Sequence, residues 1–138
     1  MVLKLKKIHN SYSLKKRESH HILKFGLFGF KILSFLSLSQ LQVNTLEKLI
    51  KFKLNKIIPN KQKVKIWNLI KLNKTMTKLN SESRMGKGKG LIMDKSTFLC
   101  PFYIIFEFDN ITKKHLIETF NYIKNQISFP IFIVKRYY

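Results

Sequence analysis

Residues 65–90 read KIWNLIKLNKTMTKLNSESRMGKGKG and run from a candidate strand into a glycine-rich segment. Across residues 63–72 apolar side chains alternate with mostly polar ones, which predicts a half-buried strand. Residues 73–97 are polar and rich in residues that break regular structure, which predicts a long loop. Three of the five glycines in the chain lie in this loop, within SRMGKGKG at 83–90. The stretch therefore predicts a sheet from which a glycine–lysine loop extends.

Two nucleotide-binding motifs do not fit the spacing of these glycines. A Walker phosphate loop ends in Gly-Lys-Ser/Thr, whereas Gly90 is followed by Leu91. A dinucleotide fingerprint places its third glycine three positions after the second, whereas Gly88 and Gly90 are two apart. The spacing therefore argues against both classes of phosphate-binding loop.

Two interpretations of the loop stay open: a flexible basic surface loop, and a loop that enters a crevice of folded RNA. Without a Cβ, the glycines let the backbone approach phosphates closely or adopt positive φ. The lysines and the arginine fork suit phosphates and base edges, and the methionine is expected to anchor the base of the loop. The candidate RNA-binding residues of the loop are Arg84, Met85, Gly86, Lys87, Gly88, Lys89 and Gly90.

The charge of the chain predicts a polyanionic partner. There are 27 basic and 7 acidic residues, giving a formal net charge of +20, while 45% of the residues are hydrophobic. The hydrophobic content predicts a folded domain, and the charge favours nucleic acid first and an anionic membrane surface second. Cys100 is the only cysteine, so a disulfide framework or a multi-cysteine zinc site is excluded. Alanine is absent and lysine dominates, a bias typical of AT-rich genes, including those of organelles.

The periodicity of the chain predicts an α+β domain with the order β, α, β, long loop, β, α, β. Ser37 and Gln40 match a capping box that would begin a helix near residue 38, and Pro59 would stop it. A second helix is predicted to begin near Thr112. The predicted strands are 63–72, 98–109 and 130–136, and residues 22–30 are predicted as a strand or turn with close backbone packing at Gly26 and Gly29. The sheet is expected to be mostly antiparallel and covered by the two helices.

The first 21 residues are basic and fit either a presequence or an arm that contacts RNA, and the arm is favoured. The segment FGLFGFKILSFLSLSQL at 25–41 is interrupted by Lys31 and serines, so it lacks the run of about 20 apolar residues of a membrane-spanning helix. The predicted organisation is a basic arm at 1–21 and a domain at 22–138, with its loop at 81–95. The alternative is a basic peripheral membrane protein that uses FGLFGFKILSFL as its apolar face.

Residues 65–90 resemble, without a gap, a stretch of the large-subunit ribosomal protein sixteen family of bacterial and organellar type. The segment FGLFGFKIL at 25–33 is similar to the Phe-Gly segment of that family, and the likeness covers residues 22–136. Other positions that match the family are Gln40, Lys65, Ile66, Trp67, Lys74, Thr77, Arg84, Pro101, Glu107, Asp109 and Pro130. Departures are Ser39, Thr45 and Leu69 in place of family arginines, and Phe102 in place of a glycine.

The resemblance implies an α/β hammerhead-type domain with no catalytic activity and no cofactor. It also implies binding to large-subunit rRNA beside the A-site tRNA, among neighbouring large-subunit ribosomal proteins, with the loop directed toward the peptidyl transferase region. Together with the composition, it predicts a mitochondrial ribosome in the mitochondrial matrix, with an organelle gene as one origin. No membrane partner is expected, and the four histidines lack metal-ligand spacing.

Basic residues outside the loop complete the predicted RNA-binding set. The arm and the domain surface contribute Lys15, Lys16, Arg17, Lys24, Lys31, Lys48 and Lys51. Trp67 has two open roles, stacking on a base or packing on the sheet. Packing is favoured for a residue in the middle of a half-buried strand.

Overall fold

Seven strands and two helices follow one another in the part of the chain that the structure, a computed structural model, describes: residues 6–7, 20–58, 63–86 and 88–137. The elements are β1 (Phe28–Ile32), β2 (Leu36–Ser39), α1 (Gln40–Ile57), β3 (Lys65–Asn68), β4 (Lys74–Lys78), β5 (Leu91–Leu99), β6 (Ile104–Asp109), α2 (Lys113–Lys124) and β7 (Ile131–Lys135).

The strands form two antiparallel sheets rather than the single sheet expected from the sequence. The larger sheet has the strand order β3-β6-β1-β7, and the smaller has the order β2-β5-β4. Strand β6 is buried along nearly its whole length, which places it at the centre of the larger sheet. The predicted α+β class, with two helices and mostly antiparallel strands, is confirmed.

The hydrophobic core joins the larger sheet to both helices. Helix α1 contributes Val43, Leu46, Ile50 and Leu54, which recur at the helical spacing of three and four residues. Helix α2 contributes Leu116 and Ile123 to the same cluster. The ring of Phe30 on β1 lies at the centre of this contact and is fully buried.

Helix α1 begins two residues later than predicted. Its N-cap is Ser39, whose hydroxyl accepts a hydrogen bond from the Gln42 backbone N–H at 3.3 Å, while the Gln42 side chain accepts from the Ser39 N–H at 2.9 Å. The expected box at Ser37 and Gln40 is wrong because Ser37 belongs to β2, where it pairs with Phe98. The predicted end is consistent with the structure, since the helix ends at Ile57, before Pro59.

Residues 73–97 are not one long loop, since they contain β4 and most of β5. These two strands form a hairpin, and residues 79–90 connect them. Within residues 73–97 the buried positions are small hydroxyl side chains, Thr75, Ser96 and Thr97, and the buried aliphatic residue of the hairpin, Leu99, lies beyond this range. Because hydropathy patterns detect aliphatic burial, residues 73–97 left no recognisable strand signal in the sequence.

The predicted strand 98–109 is divided between β5 and β6. A turn at 100–103 separates them, and the Tyr103 N–H donates to the Cys100 carbonyl at 3.3 Å. Phe102 has a φ of 67° in this turn, a left-handed conformation that favours glycine. It is the position at which the resembled family has a glycine, so this chain keeps the turn at the cost of local backbone strain.

Candidate nucleic-acid interface

The predicted RNA-binding loop lies at the end of the β4–β5 hairpin. The hairpin pairs Lys78 with Leu91 as its last register, and residues 79–90 extend beyond it. A turn within this segment is closed by the Ser83 N–H, which donates to the Asn80 carbonyl at 3.0 Å. The described residues of the loop are almost all exposed. The loop is therefore free of the core and available to a partner.

The three glycines of the loop stand in different surroundings. A Cβ on Gly90 would overlap the Lys78 carbonyl and lie 2.8 Å from the Leu79 nitrogen. A Cβ on Gly86 would be in ordinary van der Waals contact with the preceding backbone. A Cβ on Gly88 would meet no described atom within 4 Å. Neither Gly86 nor Gly90 has a positive φ. Close backbone approach therefore requires glycine at position 90 within the protein itself, whereas nothing in the described chain requires glycine at 88.

The described side chains of the loop are exposed and are not packed on the domain. Met85 is 104% exposed, so the expectation that it anchors the base of the loop is wrong. Arg84 and Lys89 are also exposed, while Lys87 lies outside the described residues. An exposed methionine beside cations on a protruding loop has no packing role in the domain.

A short part of the amino-terminal arm lies beside the hairpin. The Lys7 ammonium donates to the Lys89 carbonyl at 3.1 Å, and the Thr75 hydroxyl donates to the Lys6 carbonyl at 3.1 Å. The arm and the loop, two separate predictions from the sequence, thus share one surface at residues 6–7. The arm cations Lys15, Lys16 and Arg17 lie outside the described residues.

The predicted RNA-binding lysines of the domain surface differ in their exposure and in their contacts with the protein. Lys24 and Lys48 are exposed, and Lys51 forms an ion pair with Glu47 at 2.5 Å. The hydrogen bond from Lys51 lowers the pKa of Glu47. Lys31 is half-buried, donates to the His21 carbonyl at 3.0 Å, and has its pKa lowered by burial. Lys31 therefore has a structural role inside the domain in addition to its charge.

A buried carboxylate organises residues 24–26. Glu107 on β6 is fully buried, and its Oε2 accepts the backbone N–H groups of Phe25 at 2.6 Å and Gly26 at 2.8 Å. The Lys24 N–H lies 3.1 and 3.2 Å from the two oxygens. Glu107 therefore binds the backbone of residues 24–26 rather than a lysine side chain or the N-terminus of α2.

The Phe-Gly segment above Glu107 packs tightly, as the sequence predicts. A Cβ on Gly26 would overlap the Phe108 carbonyl, and one on Gly29 would lie 2.5 Å from the Leu23 side chain. Position 26 therefore accepts only glycine, because the obstacle there is backbone.

An aromatic groove beside this segment was not recognised from the sequence. The Phe25 ring stacks on the Trp67 indole with centroids 5.9 Å apart and an angle of 24°. Lys24 and Lys71 line the same groove, together with His20. No pattern within one segment reveals this site, because the β1–β6 and β6–β3 pairings bring its two halves together.

The described ranges contain neither a candidate metal centre nor a helix that could span a membrane. No three His, Cys, Asp or Glu side chains there lie close enough to hold a metal ion. Within the same ranges, neither helix combines the length and the hydropathy needed to cross a membrane.

Part of the apolar face required by the membrane hypothesis lies in the core of the domain, whereas Phe25, Leu33 and Phe35 are exposed. Of the segment FGLFGFKILSFL, the side chains Phe28, Phe30 and Ile32 are buried in the hydrophobic cluster. They cannot insert into a bilayer while the domain is folded.

A strongly basic α+β domain that carries a glycine–lysine loop on a hairpin is typical of ribosomal proteins. The chain matches the family described as ribosomal protein L16p/L10e over residues 3–134. It is 46% identical over 128 residues to the large ribosomal subunit protein uL16m of Chondrus crispus, covering 92% of each protein. The chain therefore belongs to the ribosomal protein L16p/L10e family, and the resemblance stated from its sequence is confirmed. Its role is structural, within the ribosome, and it is not an enzyme.

Proposed function

We propose that this chain is a structural protein of the large subunit of a mitochondrial ribosome, where it binds rRNA beside the A-site tRNA and near the peptidyl transferase region. The observation that carries the RNA contact is the exposed glycine–lysine loop at the end of the β4–β5 hairpin, on a domain of net charge +20. The likeness to the relative uL16m supports the subunit and the organelle in this proposal. Residence in the mitochondrial matrix, an organelle gene, and contacts with neighbouring large-subunit proteins stay predictions.

The loop is suited to folded RNA for physical reasons. Its exposed cations attract phosphates over a distance set by ionic strength. Its glycines leave room for the backbone to come close to RNA, and such a thin loop fits an irregular crevice better than a duplex groove. Lys7 adds a cation at the base of the loop, where it binds the Lys89 carbonyl.

Replacing Lys87 and Lys89 together with alanine tests the role of the loop. We expect the domain to fold normally, since the described residues of the loop lie outside the core. Large-subunit assembly at a late stage or the binding of A-site tRNA should be impaired. Subunit profiles and tRNA binding would be compared with wild type and with Lys113→Ala/Lys114→Ala, a matched change on exposed residues of α2. Normal assembly and normal tRNA binding in the loop variant would contradict the proposal.

A second test separates the glycine backbone from lysine charge. Gly88→Val keeps every charge, and its Cβ would meet no described atom within 4 Å, so the free domain should be unaffected. Against rigid RNA the added side chain should clash, whereas Lys89→Ala should remove about one counterion from the salt dependence of binding. We therefore expect Gly88→Val to reduce incorporation into large subunits more than Lys89→Ala in direct competition with wild type. A larger defect for Lys89→Ala would mean that the loop acts mainly through charge.

A further inference from the structure

The groove lined by Phe25 and Trp67 presents the Phe25 ring to solvent. Phe25 is 56% exposed, while Trp67 lies half-buried beneath it on β3. The groove has a volume of about 540 Å³, within the range of pockets that hold a small planar ligand. Because the two rings already contact one another, a further ring can add only to the exposed face of Phe25.

The exposed ring is held in place by the fold. The Phe25 N–H donates to the buried Glu107 at 2.6 Å, and the next residue, Gly26, lies directly against the Phe108 backbone. The Trp67 indole supports the ring from below. An aromatic side chain fixed in this way loses little conformational entropy when a ligand stacks on it.

The charges around the groove favour an anionic ligand. Lys24 and Lys71 line it, and an Arg136 nitrogen donates to the Lys24 carbonyl at 3.4 Å. None of the described residues that line the groove is acidic. The carboxylate beneath it, Glu107, is fully buried and accepts backbone N–H groups. The groove therefore combines a flat apolar surface with cations at its edge.

We infer that this groove binds one unpaired base of RNA, which stacks on Phe25 while Lys24 and Lys71 bind the adjoining phosphates. The inference rests on the proposed function, since it requires an RNA partner, and it adds a second contact on the larger sheet, separate from the loop. A splayed-out base offers a π-face and a flanking phosphate, whereas the bases of a continuous duplex do not.

The test compares two short single-stranded probes with the full-length protein: oligouridine, and a strand of the same length whose sugars lack bases. Both carry the same phosphates, so they differ only in their bases, and the Phe25 variants below isolate stacking. Wild type should bind oligouridine roughly tenfold more tightly. Trp67 is the only tryptophan in the chain, so its fluorescence should change with oligouridine and not with the abasic strand.

Four variants test which side chains cause the preference for oligouridine and which bind the phosphates. Phe25→Leu should abolish the preference for oligouridine, and Phe25→Tyr should retain it. Phe52→Leu is the matched control, because Phe52 is 61% exposed among the lysines of α1. The double change Lys24→Gln/Lys71→Gln should weaken binding of both strands and flatten the salt dependence by about two counterions.

The outcomes separate this inference from the proposed function. Equal affinity for both strands in wild type, or the same loss in Phe52→Leu as in Phe25→Leu, would overturn base stacking and leave RNA binding intact. If neither strand binds at physiological salt, the base-stacking inference fails, whereas the proposed function is tested separately by the loop variants in large-subunit assembly. Circular dichroism of Phe25→Leu and Phe25→Tyr would verify that each variant is folded.

Discussion

Replacing Glu107 with alanine is expected to lower the free energy of unfolding by about 3 kcal/mol, because the change leaves backbone donors without an acceptor. Three N–H groups, those of residues 24 to 26, bind this carboxylate, and the one on Gly26 is buried. A buried N–H without a partner costs more than the loss of an ordinary surface hydrogen bond. The measurement is the denaturant midpoint of the purified protein at moderate salt, followed by circular dichroism.

The size and the cause of this effect can be separated with two further variants. Glu107→Gln keeps one acceptor oxygen and should fall between wild type and alanine. Glu118→Gln is the control: this glutamate forms an exposed ion pair with Lys53 at 2.8 Å, and such pairs contribute about 0–1 kcal/mol. An alanine variant at position 107 that unfolds at the wild-type midpoint would mean that water can replace the carboxylate.

The elements that were predicted correctly are those that bury aliphatic and aromatic side chains. Val43, Leu46, Ile50 and Leu54 recur at the helical period, so the sequence predicted α1 apart from its exact start. The last strand, β7, lies inside its predicted range of 130–136. Hydrophobic periodicity carried both predictions because these elements face the main core.

The smaller sheet could not be predicted in the same way. Its buried positions include Thr75, Ser96 and Thr97, which hydropathy does not distinguish from loop residues. The bulge between Met76 and Thr77 further breaks the alternation between its two faces. A polar hairpin that carries an exposed loop therefore looks like one long loop in the sequence.

The candidate site, like the fold, was predicted only where its signal is visible within one segment of the sequence. The loop was recognised because its glycines and lysines are contiguous in the sequence. The aromatic groove was missed because Phe25 and Trp67 meet only through β6, which pairs with both β1 and β3. The role of Glu107 had no sequence signal at all, since its partners are backbone N–H groups that every residue except proline provides.

Replacing Gly90 with valine is expected to open the end of the β4–β5 hairpin even in the free protein. We call this end, where Lys78 pairs with Leu91, the neck of the hairpin. The new Cβ would overlap the Lys78 carbonyl, and that carbonyl belongs to the last paired residue of β4. Since backbone cannot rotate away as a flexible side chain can, the pairing of Lys78 with Leu91 should be lost. Overpacking of this kind costs roughly 1–3 kcal/mol, and the loop beyond the neck should change its direction.

Hydrogen exchange of the free protein can detect this opening directly. Backbone amides near the neck, at positions 77, 78, 91 and 92, should exchange faster in Gly90→Val than in wild type, while those of β6 should be unchanged. Gly88→Val is the matched control, because its Cβ meets no described atom and its exchange should equal that of wild type. If both variants also enter large subunits poorly, the causes differ. Gly90→Val would change the direction of the loop, whereas Gly88→Val would clash with the RNA that the loop contacts. Wild-type exchange in Gly90→Val would instead mean that the neck can shift to admit a side chain, and the close approach to Lys78 would no longer explain the glycine.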